Sequence, residues 1–562
     1  MLKLSEKFFL ALIVVTLLLP AALTVWVHCG NPSPQFNWIA NRTLSGVTIK
    51  KDLPPITTTS WLNGQLQKGL NTLATEDFAG RELLIRAYNQ ILYRLFDKSY
   101  MTSEKIIRGK HENLFGVDYL AVYGQYLPPI SNEEDETLAV MMKYLSERLK
   151  QLGSCFVFVI TPSKATLYPE DIPDRYLIKL KQGEQRPTNY QILVPKLKKY
   201  GVPYVDGLQI TLEQKGTLPK RVFPKTGVHW TRAFAFFTVA DLLKTIERES
   251  GREMPPLSES IESIDRRPDS TDADLFDLLN LIQKPNQRYL HPRFQVPKSW
   301  SGKTGILTSV GGSFTETILD ILASAQVFEH MNHYSYFRVY KLRYPGRSVS
   351  PVDEHAIPWE QDFWNTTAVV LEANEEAIAG VPSHSIDGFL MAALAELEQK
   401  TPRDRSVDDP PRPVVWGFGV HENGIALPKK GFDFPESNLS WISGHDAEID
   451  LPSPRENRDL RLILEASPFL GDGVTERIIK VAVNGIPVGA LELVDPDFQF
   501  YSLTIKAAAN RTPILKLHLS FSPAPGGARP LEIALARLAL VPIELPVSQE
   551  PREQHLNIMN RE

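Results

Sequence analysis

Between Glu136 and Glu398 short apolar runs alternate with helical periods, and this rhythm constrains the fold more than any other feature. Leu138, Met141, Leu145, Leu149 and Leu152 mark one face of a helix over 136–152. Cys155 to Ile160 is an unbroken apolar run, as expected of a strand buried on both faces. A helix over 190–200, a strand over 202–205 ending at Asp206 and a helix over 231–247 follow. The pattern resumes with a strand at 305–310, a helix at 314–326, a strand at 368–371 and a helix at 386–398. Strands joined through helices lie parallel, because a tight turn cannot return the chain in the same direction. The spacing therefore predicts an α/β domain, a parallel sheet flanked by helices, with functional residues at the C-terminal strand ends. A polar, proline-rich excursion over 248–297, carrying a short helix at 272–281, interrupts it. Upstream, Trp61 to Leu95 reads as two amphipathic helices, and Lys105 to Phe115 as a short β segment turning at Gly109-Lys110.

The helical periods then end. Thr401 to Pro413 is a charged, proline-rich linker. Beyond it short alternating segments recur at 414–419, 447–451, 460–466, 478–483, 488–493, 498–505, 515–521 and 531–541. Asn484-Gly485 between two of them signals a type I′ hairpin. These features predict a C-terminal all-β sandwich of jelly-roll type over 414–545, followed by a polar tail over 546–562.

At the other end Phe8 to Val27 is an uncharged run of 20 residues, enough to span roughly 30 Å as a helix. Lys3 and Lys7 precede it and favour a cytoplasmic N-terminus. Residues 1–27 read as a cytoplasmic stub and transmembrane anchor, and 28–60, rich in Pro, Ser, Thr and Asn, as a spacer on the far side. A cleavable signal peptide is the competing reading, and under either the remainder is exported. The chain of 562 residues has a net charge of −5, which gives no support for nucleic-acid binding. Its two cysteines, Cys29 and Cys155, make no disulfide framework, and no Cys or His spacing marks a metal or cofactor site.

Two stretches carry candidate chemistry. Phe223-Pro-Lys-Thr-Gly-Val-His-Trp-Thr-Arg232 sets His229 in a turn before an apolar helix. Ile306-Leu-Thr-Ser-Val-Gly-Gly-Ser-Phe-Thr-Glu316 runs from a strand through Gly311-Gly312 to Ser313 and a helix. A serine at such a turn can be held up to a substrate, with the N–H groups of Gly312 and Ser313 facing an oxyanion. Gly-Gly-Ser alone also fits a plain helix N-cap, and a histidine before a helix is often only a hydrogen-bonded one. Lys164 and Asn374 follow strand ends and, with Trp230 beside the histidine, are candidate substrate-binding residues. A solvated loop lysine and a helix cap are the plainer readings of the first two. Trp416, Trp441, Phe469 and Tyr501 of the sandwich are either sugar-stacking or core aromatics.

Eight ordered blocks carry a family resemblance: Asp-Phe-Ala-Gly-Arg81, Ile-Ile-Arg-Gly-Lys110, Thr161-Pro-Ser-Lys-Ala-Thr-Leu-Tyr-Pro-Glu170, Val205-Asp206, Gly227-Val-His-Trp230, Asp274-Leu-Phe-Asp-Leu-Leu279, Gly311-Gly-Ser-Phe314 and Glu372-Ala-Asn-Glu375. Their order resembles the alginate O-acetyltransferase family of the AlgX/AlgJ type. The resemblance implies an SGNH-hydrolase-like domain over 61–400 and a carbohydrate-binding-like sandwich after it. It implies a periplasmic, inner-membrane-anchored, single-pass enzyme acetylating an exported polysaccharide, supplied by a membrane-bound O-acyltransferase (MBOAT) partner. It further implies Ser313 as nucleophile and His229 as base. The family's third member is the Asp of Asp-x-His, and Gly227 stands there. A backbone carbonyl or an acid from elsewhere, such as Asp206, Glu372 or Glu375, would then have to hold the imidazole. Two other functions fit the same residues. One is a non-catalytic polysaccharide-binding scaffold, favoured by Gly227, and the other is an acetyl esterase using water as acceptor.

Overall fold

The computed structural model describes residues 44–46, 55–76, 80–96, 105–127, 132–265, 271–283, 287–298, 304–353, 356–378, 386–400, 412–454, 457–470, 474–521 and 531–543, with a few isolated positions besides. Most of the apolar run 8–27, of the spacer 28–60 and of the linker 401–413 lies outside the described residues, as does the tail 546–562. Among the described residues no helix is long and apolar enough to cross a membrane.

The alternating region forms a seven-stranded sheet. Its strands are β1 (Cys155–Thr161), β2 (Tyr204–Asp206), β3 (Ile306–Gly311), β4 (His330–Ser335), β5 (Tyr340–Tyr344), β6 (Ser348–Pro351) and β7 (Ala368–Asn374), in the order β6-β5-β4-β3-β7-β1-β2. β1, β2, β3, β4 and β7 run parallel; β5 and β6 extend the edge antiparallel. Helices α1 (Asn132–Gln151), α2 (Asn189–Tyr200), α3 (Arg232–Ser250), α4 (Ser313–Ser324) and α5 (Ile386–Lys400) cover both faces. Because side chains alternate along a strand, β1 divides its residues between two cores. Phe156, Phe158 and Ile160 join Leu145, Leu149 and Leu197 of α1 and α2, while Val157 and Val159 join Phe234, Val239 and Leu319 of α3 and α4. This double burial explains the unbroken apolar runs of the inner strands.

The predicted strands and helices over 136–398 all form, with ends moved by a few residues. The 248–297 excursion differs. It contains an antiparallel pair, Ser258–Asp265 with Tyr289–Gln295, and its helix shortens to Asp274–Leu278. β4 to β6 are likewise absent from the sequence expectation. β4 is an inner strand, but buried polar residues such as Asn332 and His333 break its apolar run, while β5 and β6 form an antiparallel margin that carries polar and aromatic residues.

The C-terminal region is a sandwich of two five-stranded antiparallel sheets. Its strands are β8 (Val414–Gly417), β9 (Lys429–Lys430), β10 (Ser440–Ser443), β11 (Asp446–Pro452), β12 (Asp459–Pro468), β13 (Arg477–Val483), β14 (Ile486–Leu493), β15 (Gln499–Ile505), β16 (Ile514–Phe521) and β17 (Leu531–Ile543). One sheet runs β8-β17-β12-β15 with β10 added to β17, and the other runs β9-β11-β16-β13-β14. Asn484 and Gly485 both take positive φ, 51° and 78°, as the predicted hairpin turn requires. All ten residues of β12 are buried, because both of its faces are covered. Leu460, Leu462 and Leu464 point into the sandwich, whereas Ile463, with Val415, Ala539 and Val541, shares a core with α1 and α5. The junction also buries Glu465, which receives Arg537 Nη1 at 2.7 Å and Arg338, from the turn after β4, on its other oxygen. Burial alone would lift this carboxyl, but the two guanidiniums hold it below the usual range. The sandwich is thus docked through a shared apolar core and a buried ion-pair triad.

Candidate active site

Ser313 follows the buried strand β3 and opens α4, with Gly312 as an extended N-cap. The turn demands glycine at 311. A Cβ there would lie 2.4 Å from Thr315 Oγ1 and 2.7 Å from Glu372 Oε2. Ser313 Oγ lies 2.7 Å from His229 Nε2, so the two residues read as a pair 84 positions apart do meet. The His229 ring packs on Phe314 with centroids 4.8 Å apart, which fixes its tilt.

The third partner is Asp274. Its Oδ2 is hydrogen-bonded to His229 Nδ1. Its Oδ1 accepts the backbone N–H of Val228 at 2.9 Å and of Leu275 at 2.7 Å. The carboxylate is therefore oriented by two backbone donors before it meets the imidazole. None of the other acids proposed for this role takes it. Asp206 accepts from Tyr190 Oη (2.7 Å) and caps the following helix through the Gln209 N–H (3.0 Å). Glu372 receives Thr161 Oγ1 at 2.6 Å, and Glu375 receives the Ser163 N–H at 2.9 Å. Asp274 belongs to one of the eight ordered blocks, but the excursion also holds Asp272 and Asp277. Only the packing of Leu275 and Leu279 against Ile106 and Leu114 selects Asp274. Gly227 is closed to the family's aspartate on steric grounds, since a Cβ would sit 2.6 Å from the Thr271 carbonyl oxygen.

Several expected substrate contacts are located elsewhere. Lys164 is 1% exposed. Its Nζ donates to the carbonyls of Leu114 (2.9 Å), Pro224 (2.6 Å), Lys225 (3.0 Å) and Gly227 (2.9 Å), and it lies under the backbone, away from open solvent. Trp230 is a core residue against Phe314. Asn374 is buried, donates to the Pro162 carbonyl (2.8 Å) and accepts from the Glu376 N–H (3.2 Å), the cap-like alternative. The oxyanion expectation changes at Gly312, whose N–H donates to Glu372 Oε2 at 2.9 Å. That carboxylate also receives Thr315 Oγ1 at 2.8 Å and so braces the serine turn. The Ser313 N–H, in the first position of α4, has no intrahelical acceptor. In the sandwich Trp416 is core, whereas Trp441 meets the exposed Phe469 edge-on at 6.2 Å.

Below the C-terminal end of β7 lie three buried acids. Burial raises Glu372 above the ordinary carboxylate range, lifts Glu375 to about 7 and pushes Glu376 well up, with Glu375 beside it adding to the effect. Among the described residues no group of three or more His, Cys, Asp or Glu could hold a metal ion.

A serine, a histidine and a half-buried aspartate linked in series can generate a serine alkoxide equivalent and carry out acyl transfer. Comparison with known proteins points the same way. Residues 107–299 match the family model described as the SGNH hydrolase-like domain of the acetyltransferase AlgX. A protein of Pseudomonas fluorescens named probable alginate O-acetylase AlgJ is 25% identical over 222 residues, 38% of this chain and 51% of that one. The chain thus spans about half the length of the curated relatives it matches. Of solved structures, the O-acetyltransferase domain of Pseudomonas putida AlgJ is 16% identical and covers 53% of this chain and 99% of its own, with a TM-score of 0.33. AlgX of Pseudomonas aeruginosa is 10% identical and covers 79% and 98%, with a TM-score of 0.35. The ordered motifs and the family match agree, and this chain is similar, through its SGNH-like α/β domain, to the alginate O-acetyltransferase family of the AlgX/AlgJ type.

Proposed function

We propose that this chain is an O-acetyltransferase that esterifies hydroxyls of an exported polysaccharide through a Ser313 acetyl-enzyme. The observation that carries this reading is the Ser313–His229–Asp274 series, with Nε2 of the base 2.7 Å from the serine oxygen. Asp274 keeps the proton on Nδ1, which leaves Nε2 free to accept the Ser313 proton. Ser313 Oγ attacks the acetyl carbonyl of the donor, and the Ser313 N–H stabilises the tetrahedral oxyanion. The His229 imidazolium returns its proton to the leaving group. A sugar hydroxyl then gives its proton to His229 and attacks the acetyl-serine, and the serine oxygen leaves with that proton. An MBOAT partner is the proposed source of acetyl, and the sandwich, with half-buried Trp441 against exposed Phe469, the proposed polymer-binding module. The apolar run 8–27 would anchor the chain in the inner membrane as a single pass, with the rest in the periplasm.

The ground for a non-catalytic scaffold is the glycine at 227, and the contact of Asp274 with His229 favours the catalytic reading over it. An acetyl esterase would use the same residues with water as acceptor. The test incubates the purified chain with an aryl acetate and a candidate oligosaccharide. Acetyl mass gained by the sugar marks a transferase, and mass lost from an acetylated sugar marks an esterase. Ser313→Ala and His229→Ala, folded by circular dichroism, are each expected to lose activity by roughly 10⁴-fold or more. Undiminished transfer by either variant refutes the proposal.

A further inference from the structure

His229 is borne on a segment, 215–231, that is neither helix nor strand. A base on such a segment needs support from outside, because its own backbone makes no ladder. Thr226 is tied to the Asp272 carbonyl and the Val222 N–H to Tyr168 Oη, and around Gly227 the support converges on one side chain. Lys164 Nζ reaches four carbonyl oxygens within 3.0 Å, three of them from this segment, at Pro224, Lys225 and Gly227, and one from Leu114. We infer that Lys164 is a positioning residue for the proposed acyl transfer, clamping the peptide of Gly227 so that His229 is presented between Asp274 and Ser313. The inference rests on the acyl-transfer reading of that series.

The geometry requires a long, cationic side chain. An ammonium has three N–H groups and no acceptor, so it suits a cavity lined only by carbonyls. A buried cation without such partners would be strongly disfavoured. Burial, with the positive charge of Arg221 adding to it, drives the Lys164 pKa well down, while the negative charges of Asp274 and Asp171 act in the opposite direction, so the clamp feels the charge of the proposed catalytic acid. Phe115 closes one side, with its ring centroid 5.3 Å from Nζ. The lysine itself is anchored at its base. Ser163, the N-cap of the short helix Lys164–Leu167, gives its N–H to Glu375 (2.9 Å) and its hydroxyl to Glu376 (2.5 Å). Gly227 is held from the other side too, since the Thr271 carbonyl leaves no room even for a methyl group. The peptide two residues before the base is therefore gripped on both sides, and the Val228 N–H that follows is delivered to Asp274. A displacement of about 1 Å in a catalytic group costs on the order of 10²-fold in rate.

The test compares wild type, Ser313→Ala, Lys164→Met and Lys164→Ala, with and without added propylammonium, in aryl acetate turnover and in proton NMR. The hydrogen bond from His229 Nδ1–H to Asp274 gives a far-downfield resonance that does not depend on turnover. Lys164→Met should lower kcat about 10- to 100-fold with KM within about twofold, and should broaden or shift that resonance. Propylammonium should restore kcat by at least about tenfold in Lys164→Ala and leave Lys164→Met unchanged. An inactive wild type would instead refute the acyl-transfer reading. Folded lysine variants with wild-type kcat and an unmoved resonance overturn the positioning role. Variants that stay unfolded even with propylammonium make Lys164 a folding residue and overturn it equally.

Discussion

Replacing Asp274 by Asn is the sharpest probe of the site, because the structure dictates which way the new amide must face. Oδ1 accepts two backbone N–H groups, from Val228 and Leu275, at 2.9 and 2.7 Å. An amide NH₂ placed there would meet two donors, so the oxygen of the new side chain keeps that position. The NH₂ then takes the place of Oδ2 and points at His229 Nδ1. Donating to Nδ1 forces the imidazole into the tautomer that carries its proton on Nε2. That atom, 2.7 Å from Ser313 Oγ, can no longer accept the serine proton. The same tautomer change in a serine protease lowers turnover by about 10⁴-fold, which at 1.36 kcal/mol per tenfold is a barrier increase of about 5.4 kcal/mol. The shape of the site is kept, so thermal stability should fall by only about 1.5–3 kcal/mol, the worth of one charged hydrogen bond. Pre-steady-state acetylation by an aryl acetate measures the chemical step, and calorimetry measures the stability. Acetylation within tenfold of wild type in Asp274→Asn refutes the tautomer argument and with it the role given to Asp274.

Two further outcomes follow from the same packing. Gly227→Asp, which restores the family's usual residue, should not add activity. Its Cβ would lie 2.6 Å from the Thr271 carbonyl oxygen, an overpacking cost of about 1–3 kcal/mol that differential scanning fluorimetry would register as a lower Tm, and a stable, faster variant contradicts this. Glu375 bears on pH. Its folded pKa, about 7, lies above the ordinary 4.5, so the native state binds the extra proton. The stability this group contributes is then fully present below about pH 4.5 and is lost as pH rises through about 7, by about 3 kcal/mol at 1.36 kcal/mol per pKa unit. Glu375→Gln keeps an acceptor for the Ser163 N–H and abolishes the titration, so urea unfolding at pH 5 and pH 8 should show that much less pH dependence; an identical fall in both proteins counts against the assignment.

The elements legible in the sequence were those whose packing leaves a local signature. β1 and β7 are buried on both faces and therefore read as unbroken apolar runs, and α1 carries its stripe at helical spacing. Asn484-Gly485 announced its turn because both residues tolerate positive φ. The strands β4 to β6 left no such trace, since β4 is buried but interrupts its apolar run with hydrogen-bonded Asn332 and His333, and the antiparallel margin of β5 and β6 accepts polar side chains and sets no apolar period. At the site, Ser313 and His229 stood out because a Gly-Gly-Ser turn after a strand and a histidine before a helix are local arrangements.

Asp274 was not local in this sense. It is 45 residues from its histidine, among other acids in a polar excursion, and hydrogen-bond geometry across that distance has no period or spacing in the chain. The same holds for Lys164. A lysine after a strand reads as a surface charge, and only the closure of four carbonyls around Nζ turns it inward. By itself the sequence determined the two-part architecture, the inner strands and the Ser–His pair, because burial and turn chemistry act on neighbouring residues. The tertiary structure alone decided which acid meets His229 and the fate of the buried charges, because the energy of an ionised side chain depends on groups that folding brings to it.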